Sequence, residues 1–265
     1  MTDWKTIYED AKHWIYEAGE RIRESLQQEL TVDTKSNRND LVTNVDRETE
    51  QYFIERIKEK YPSHAILGEE GFGDEVKSTD GIIWIIDPID GTVNFVHQQT
   101  FFCISIAVYE DGVGKVGLVY DVMHDELFEA RKGEGAYVDG KRLNVLRPVN
   151  LEDSILSINA TWLTPNKRID HERLVPLVKV ARGFRSYGSA ALELAYVACG
   201  RLDAYMTMRL SSWDFAAGWV LLEEVGGVLT TVEGEPVQLL GQTSVFAAER
   251  TTHEAIQRDY ILPTK

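Results

Sequence analysis

Ile82-Ile83-Trp84-Ile85-Ile86-Asp87-Pro88-Ile89-Asp90-Gly91-Thr92 is the stretch around which this sequence is organised. Four isoleucines and a tryptophan lead directly into two carboxylates that are separated by a proline and an isoleucine. A continuous apolar run of this kind predicts a strand that is buried on both faces. Because an unpaired buried carboxylate is costly, acids at the exit of such a strand need a partner. We predict that this partner is a hard divalent cation.

The spacing Asp-Pro-Ile-Asp has a mechanical reason. Pro88 holds Asp87 in an extended conformation and sets a turn, which lets Asp87 and Asp90 face one site. The Ile89 carbonyl is then released from the strand ladder and becomes available as a third oxygen ligand. The alternative is that both acids are ordinary turn residues, because Asp, Pro and Gly are common in turns.

The two residues after the acids add a possible binding site for an anion. Gly91 permits a close approach of the backbone. Thr92 can start a helical turn whose free N–H groups point outward and suit a phosphate. Carboxylates, an anion cradle and a hydroxyl within six residues predict a site for metal-assisted phosphoryl transfer.

Composition is typical of a globular protein with a substantial core. The 265 residues are 43% hydrophobic and 27% charged, which suits one large domain or two small ones. We expect one domain over residues 1–265, with an α+β half at about 1–147, an α/β half at about 148–265, and a seam at Arg147-Pro148. The net charge of −15 argues against a general binder of nucleic acid or of anionic membranes. A phosphorylated substrate remains compatible, since metal ions can invert the charge of an acidic site.

The sequence has features that we expect of a cytoplasmic protein. No apolar stretch approaches the ~18 residues of a membrane span, and an N-terminus containing Asp3, Glu9 and Asp10 lacks the form of a signal peptide. Cys103 and Cys199 lie far apart in apolar contexts, without the spacing of metal ligands. We therefore expect buried free thiols in a reducing compartment.

Hydrophobic periodicity predicts a mixed α/β or α+β fold of layered sheets and helices. A polar loop is expected at 31–39, and Thr251 with Glu254 is expected to form a capping box. The expected helices are 3–28, 43–60, 170–181, 190–199, 213–225 and a last one after 251. The expected strands are 65–67, 82–86, 103–109, 115–120, 126–131, 154–158, 202–206, 228–231 and 244–247.

Three further acids stand at predicted element boundaries, which is where α/β proteins place their ligand sites. Asp46 lies at a helix start, Glu69 follows a strand, and Asp214 begins another helix. Oxygen ligands favour Mg²⁺, Mn²⁺ or Ca²⁺ over zinc. Taken singly, Asp46 and Asp214 are more simply first-turn helix acids, Glu69 a solvated residue, and Lys35 a loop cation. Only their combination with Asp87 and Asp90 indicates a site.

At this point the sequence resembles the inositol monophosphatase family, within the fructose-bisphosphatase-like superfamily. The resemblance covers nearly the whole chain, and the central motif together with the distant WD-x-A-A-G motif is a strong signal. It implies the layered αβαβα sandwich of that family. The motifs are Asp40–Asp46 (DLVTNVD), Gly68-Glu69-Glu70, Trp84–Phe95 (WIIDPIDGTVNF) and Trp213–Gly218 (WDFAAG).

The resemblance implies two to three Mg²⁺ ions. Glu69, Asp87 and the Ile89 carbonyl would hold the first ion. Asp87 would bridge to the second, which Asp90 and Asp214 complete, and Glu69 would also touch a third, mostly hydrated ion.

The resemblance also implies catalytic and binding roles without a covalent phosphoenzyme. Asp46 and Thr92 would orient and deprotonate the attacking water, while the Gly91 and Thr92 amides bind the phosphate. Lys35 matches a lysine near the outer metal, and Ala190 matches a backbone contact to the substrate. Asp90 and Asp214 would also face the substrate. Family members are usually lithium-inhibited homodimers.

Two departures from the family pattern concern the substrate more than the reaction. Val93 replaces a common second threonine, which we expect to be harmless. Thr207 stands seven residues before Asp214, where inositol phosphatases often carry a glutamate that contacts substrate hydroxyls. Arg209 could approach a second anionic group, although a surface cation is the simpler interpretation.

The leading hypothesis is a Mg²⁺-dependent phosphomonoesterase acting on a small polyol or sugar phosphate, with myo-inositol monophosphate first. Fructose 1,6-bisphosphate, 3′-phosphoadenosine 5′-phosphate and NADP are the related alternatives. A hypothesis of another class is a regulatory binding protein with a vestigial site. A complete set of metal-site acids favours the enzyme, since a scaffold needs none of them.

Overall fold

The structure is a computed structural model that describes residues 2–28, 30–35 and 41–262. Within these residues, no helix combines the length and the apolar character needed to cross a membrane. The helices are α1 (Trp4–Ser25), α2 (Asn44–Lys60), α3 (Thr92–His97), α4 (His171–Val180), α5 (Ala190–Ala198), α6 (Ser212–Glu224) and α7 (Arg250–Ile256). Short 3₁₀ turns lie at Leu151–Asp153 and Ala160–Leu163, and a π-helical turn at Gln257–Ile261.

The strands fall into a two-stranded ribbon, a seven-stranded sheet and a five-stranded sheet. The ribbon consists of β1 (Val32–Thr34) and β2 (Leu41–Thr43). The seven-stranded sheet contains β3 (Ala65–Gly68), β4 (Ile82–Asp90), β5 (Cys103–Glu110), β6 (Val113–Asp121), β7 (Glu126–Arg131), β8 (Gly135–Val138) and β9 (Lys141–Arg142). The five-stranded sheet contains β10 (Ile155–Ile158), β11 (Gly183–Arg185), β12 (Ala204–Leu210), β13 (Gly227–Thr230) and β14 (Thr243–Glu249).

Strand β4 is buried along its length, as its apolar run predicts. It pairs in parallel with β3 and antiparallel with β5. Because successive side chains of a strand point to opposite faces, Trp84 and Ile86 pack with α1 and α2 on one side. Ile83 and Ile85 pack with α5 and α6 on the other. The run is continuous because helices cover both faces.

Five layers result, which confirms the predicted layered sandwich. Helices α1 and α2 cover the outer face of the seven-stranded sheet. Helices α5 and α6 lie between the two sheets, in a core to which both sheets contribute. Helices α4 and α7 cover the far face of the five-stranded sheet, whose strand order is β11-β10-β12-β14-β13.

The inner layer is packed closely enough to require glycine. A Cβ on Gly117 of β6 would lie 2.6 Å from the Ala217 carbonyl oxygen and 2.9 Å from Cβ of Val220, both in α6. A Cβ on Gly218 would lie 2.5 Å from Cβ of Leu194 in α5. The glycine of the WD-x-A-A-G motif therefore brings the two inner helices together.

Three local expectations differ from the structure. Part of the predicted polar loop at 31–39 forms β1, which pairs with β2; residues 36–39 of that loop, and Asp40, lie outside the described residues. The last helix is capped by Glu249, whose carboxylate accepts the Thr251 and Thr252 amides, so the predicted capping box is wrong. Both cysteines are free, as expected, but Cys199 is only partly buried.

Replacing Gly117 with alanine tests the close packing of β6 against α6. We expect Gly117→Ala to lower the free energy of unfolding by about 1–3 kcal/mol, since the added methyl must displace helix backbone. Chemical denaturation monitored by circular dichroism measures the change. Gly183→Ala is the control, because its new methyl would meet only the flexible end of Arg185 at 3.2 Å. Equal stability of the two variants would contradict the close contact.

Candidate active site

The acids of the central motif lie where β4 breaks its pairing with β5. The register shifts between Asp87 and Asp90, so the strand ladder is interrupted across the Pro88-Ile89 pair. The Ile89 amide donates to Asp87 Oδ1 at 3.1 Å and closes a tight local turn. Asp87 follows Ile83 and Ile85 in alternation, which directs it toward α6. Asp87 is 1% exposed and Asp90 is 8% exposed.

Asp214 reaches the same point from the N-terminus of α6. It is the third residue of the helix and accepts the Ser211 amide at 2.7 Å in a capping box. One carboxylate oxygen from each of Asp87, Asp90 and Asp214 lies within 4.8 Å of the other two. Residues 87 and 214 are thus brought together by the packing of α6 on the inner face of the seven-stranded sheet.

Glu69 stands beside this cluster at the end of β3. Burial, followed by repulsion from the Glu69 carboxylate, raises the pKa of Asp87, so the two acids lie close together. Lys35 Nζ contacts Glu69 at 2.9 Å and Glu70 at 2.6 Å. Glu50 of α2 is fully buried and accepts the amides of Glu70 and Phe72 at 2.7 and 2.9 Å. Glu50 thereby holds the turn that carries Glu69.

The electrostatics of the cluster fit a cation. Burial, followed by repulsion from neighbouring carboxylates, raises the pKa values of Asp87 and Asp214 well above the usual range. Burial also raises the pKa of Asp90, against hydrogen bonds from Ser189 and Ala191, and that of Glu69 to about 7. Among the described residues, no Lys or Arg nitrogen lies within 4.0 Å of the three aspartates. An all-oxygen set of this kind suits Mg²⁺, Mn²⁺ or Ca²⁺.

Asp46 and Thr92 form a pair on the other side of the motif. Thr92 Oγ1 lies 3.2 Å from Asp46 Oδ1 and 3.2 Å from the Ile89 carbonyl, so its proton is shared between two acceptors. Asp46 Oδ2 accepts the Thr43 amide at 2.9 Å and completes a capping box at the start of α2. Burial raises the pKa of Asp46 to about 6. Asp46 is thus a first-turn acid of α2 that also lies within hydrogen-bonding distance of Thr92, and the role of the pair in activating water stays a prediction.

A loop from the second half closes over the motif. Gly91 has φ 97°, and a Cβ there would lie 3.2 Å from the Phe101 carbonyl oxygen and from Cβ of Ser189. Ser189 Oγ and the Ala191 amide donate to Asp90 Oδ2 at 2.5 and 2.7 Å. Asn94 Nδ2 donates to the Tyr187 carbonyl at 2.6 Å and fastens the loop to α3.

A cavity of about 280 Å³ opens beside Asp90 and Asp214. Thr207 lines it and accepts a hydrogen bond from Trp162 Nε1 at 3.2 Å. Ala190 also lines the cavity, whereas Arg209 is exposed and does not. The predicted approach of Arg209 to an anionic group stays a prediction. The other lining residues are Asn159, Thr161, Ser186, Gly188, Ser189, Glu193, Tyr205 and Leu210.

The structure brings nearly all the sequence-predicted site residues to one region, and it adds others. Sequence reasoning missed Ser189, which donates to Asp90, and Glu50, which holds the Glu69 turn. Nothing in the sequence around Glu50 marks it among the many acids of α2. Glu193 was also missed, although it is the only charged residue of the helix AALELAYVA, a pattern that could have identified it.

Comparisons with known proteins show which family the chain resembles. The family model described as the inositol monophosphatase family matches residues 3–260. The inositol-1-monophosphatase of Bacillus subtilis (strain 168) is 59% identical over 261 residues, covering 98% of each chain. The crystal structure of SaIMPase-II bound to inositol monophosphate superposes with a TM-score of 0.87 at 45% identity, covering 97% of this chain and 93% of that one. An IMPase/NADP phosphatase complexed with Mg²⁺ and phosphate gives a TM-score of 0.89 at 29% identity, covering 96% and 95%.

These matches cover nearly the whole length of the chain. The chain belongs to the inositol monophosphatase family, a family of phosphoric monoester hydrolases.

Proposed function

We propose that the protein is a Mg²⁺-dependent phosphomonoesterase that hydrolyses myo-inositol monophosphate to inositol and phosphate. The observation that carries this proposal is the convergence of Asp87, Asp90 and Asp214 to within 4.8 Å beside a cavity. A relative that is 59% identical is named inositol-1-monophosphatase, and a neighbouring structure holds inositol monophosphate. Another structure of similar fold is that of an IMPase/NADP phosphatase, so NADP is retained as an alternative substrate.

The acids of the site supply the proposed metal ligands. Glu69, Asp87 and the Ile89 carbonyl would hold one Mg²⁺, and Asp87, Asp90 and Asp214 a second. Glu69 would also contact a third ion, for a total of two to three. When bound, Mg²⁺ supplies positive charge that offsets the carboxylates, polarises the phosphoryl group and makes coordinated water more acidic.

Asp46 and Thr92 are suited to activating the attacking water. The Thr92 hydroxyl donates to Asp46 Oδ1, which leaves an Oγ1 lone pair to accept a proton from water. As the water oxygen forms its bond to phosphorus, its proton passes to Thr92 while the Thr92 proton moves to Asp46. A carboxyl group whose pKa is about 6 can accept this proton near neutral pH. The bond from phosphorus to the ester oxygen then breaks, and the leaving alkoxide takes a proton from solvent.

The remaining groups bind the substrate. The Gly91 and Thr92 amides lie at the start of α3, where they have no partner within the helix and would hold phosphate oxygens. Ala190, Thr207 and the two aspartates nearest the cavity, Asp90 and Asp214, would face the polyol. Lys35 would stay near the outer metal through its contact with Glu69.

Three wider features complete the proposal. We infer that residues 1–265 form one domain, because the layer of α5 and α6 is shared by both sheets. A homodimer and inhibition by lithium are implied by the family resemblance. Sedimentation equilibrium and phosphate release in the presence of LiCl measure these two properties.

The role of the metal-site acids is tested with Asp87→Asn. We expect phosphate release from inositol 1-phosphate to fall on the order of 10³-fold, because the amide cannot supply the charge that binds the cation. Asp80→Asn is the matched control, since Asp80 is exposed and its carboxylate accepts a hydrogen bond from the Ser78 hydroxyl. Rates are measured with and without Mg²⁺.

Two results of that assay would count against the enzyme. Activity of Asp87→Asn equal to that of Asp80→Asn would remove Asp87 from the site. Inertness of the wild type toward every phosphate ester, with Mg²⁺ present, would favour the regulatory binding protein instead.

The role of position 207 in substrate choice is tested by introducing a carboxylate there. We expect Thr207→Glu to raise kcat/KM for inositol 1-phosphate relative to NADP by about tenfold, because the new carboxylate can accept substrate hydroxyls. Thr207→Gln has nearly the same size without the charge and should shift the ratio less. An unchanged ratio in Thr207→Glu would show that this position does not choose the substrate.

A further inference from the structure

Glu193 is a buried carboxylate in the cavity wall that the proposed mechanism does not use. It lies in the first turn of α5 and is 5% exposed. Its Oε1 accepts the Tyr187 amide at 2.6 Å and the Ser157 hydroxyl at 2.8 Å. The Gly188 amide also approaches the carboxylate. These donors come from the cavity loop and from β10, so the orientation of the carboxylate is fixed.

The second oxygen of Glu193, Oε2, takes no part in the hydrogen bonds that fix the carboxylate through its partner oxygen. Both hydrogen bonds named above end on Oε1 and neither on Oε2. Glu193 is also one of the residues that line the cavity. Oε2 is therefore the atom of this carboxylate that is available to a ligand in the cavity.

The other cavity-lining carboxylates have different tasks. Asp90 and Asp214 belong to the metal cluster. Thr207, at the position where inositol phosphatases often carry glutamate, offers only a hydroxyl that already accepts from Trp162. The rest of the wall supplies neutral hydroxyl, amide and aromatic groups. Glu193 is thus the one carboxylate of the described wall that is free to accept hydrogen bonds from a ligand.

We infer that Glu193 Oε2 recognises the hydroxyl groups of the substrate's polyol and so determines specificity. This inference rests on the proposed function, whose substrate is an inositol phosphate. A substrate hydroxyl donates to Oε2, and the Tyr187 amide and Ser157 hydroxyl keep the carboxylate from turning away. Charge-assisted hydrogen bonds of this kind are stronger than those between neutral groups. Burial raises the pKa of Glu193 to about 7, so the ionised form is accessible at neutral pH.

The test compares two esters that share a ring and differ in hydroxyls: myo-inositol 1-phosphate and cyclohexyl phosphate. The quantity measured is the ratio of their kcat/KM values, at saturating Mg²⁺, for the wild type and for Glu193→Gln. The glutamine carbonyl can keep the two donors that hold Oε1, while its amide group replaces the charged acceptor Oε2. We expect the ratio to fall about tenfold, which is the difference between a charged and a neutral hydrogen bond.

A matched control separates recognition from a general effect of a buried substitution. Glu129 is 3% exposed, lies in β7 and bonds Tyr8 and Lys12, away from the cavity. Glu129→Gln should leave the ratio at its wild-type value. If Glu193→Gln does not fold, Glu193→Asp withdraws the carboxylate by one methylene and should lower the same ratio.

The possible outcomes distinguish failure of the role of Glu193 from failure of the proposed function. A wild type that hydrolyses neither ester overturns the proposed function, and the role of Glu193 with it. A wild type that prefers the inositol ester, with an unchanged ratio in Glu193→Gln, overturns only the role of Glu193. A wild type without preference for the hydroxylated ring also overturns that role.

Discussion

The rest of the site depends on the mutual repulsion of carboxylates at the exit of β4. Asp87, Asp90 and Asp214 place their oxygens within 4.8 Å of one another, with Glu69 alongside. Burial prevents water from screening this repulsion, and the pKa values of Asp87 and Asp214 rise well above the usual range as a result. Such a cluster is destabilising by itself. Bound divalent cations would make the same arrangement favourable.

Close packing brings the acids of two distant sequence motifs together in this cluster. Gly117 and Gly218 allow α6 to lie against β6 and α5, and that position sets the start of α6 where Asp214 emerges. The first turn of α5 is fixed at the same time, because Asp90 accepts from Ser189 and the Ala191 amide. The inner helix layer therefore contributes to both the acidic cluster and the cavity. The first turn of α5 contacts Asp90 through the Ala191 amide and lines the cavity with Ala190 and Glu193.

Much of the fold and the convergence of the acids could be predicted from the sequence because both leave local patterns. The apolar run Ile82–Ile86 marked a strand covered on both faces, and the acids at element ends marked residues that the fold brings together. The motif resemblance supplied the layered architecture and the pairing of Asp46 with Thr92. These features depend on residue type and spacing, which a sequence displays directly.

The contacts that position the site were not predictable in this way. Glu50 and Glu193 act through hydrogen bonds to the backbone of segments that lie 20 and 6 residues away. Such bonds arise from tertiary packing, so the sequence shows only an acid in a helix. The predicted cap of α7 was wrong because Glu249 accepts the Thr251 and Thr252 amides, so the helix begins two residues earlier than a Thr251 cap would allow.

Thermal unfolding as a function of Mg²⁺ concentration tests the central claim most directly. If the cluster is held together by cations, Mg²⁺ at about 100 times its dissociation constant should stabilise the wild type by about 2.7 kcal/mol, raising Tm by roughly 5–10 °C. NaCl of equal ionic strength should not reproduce this shift. A Tm that responds identically to MgCl₂ and to matched NaCl would contradict the account of the buried carboxylates.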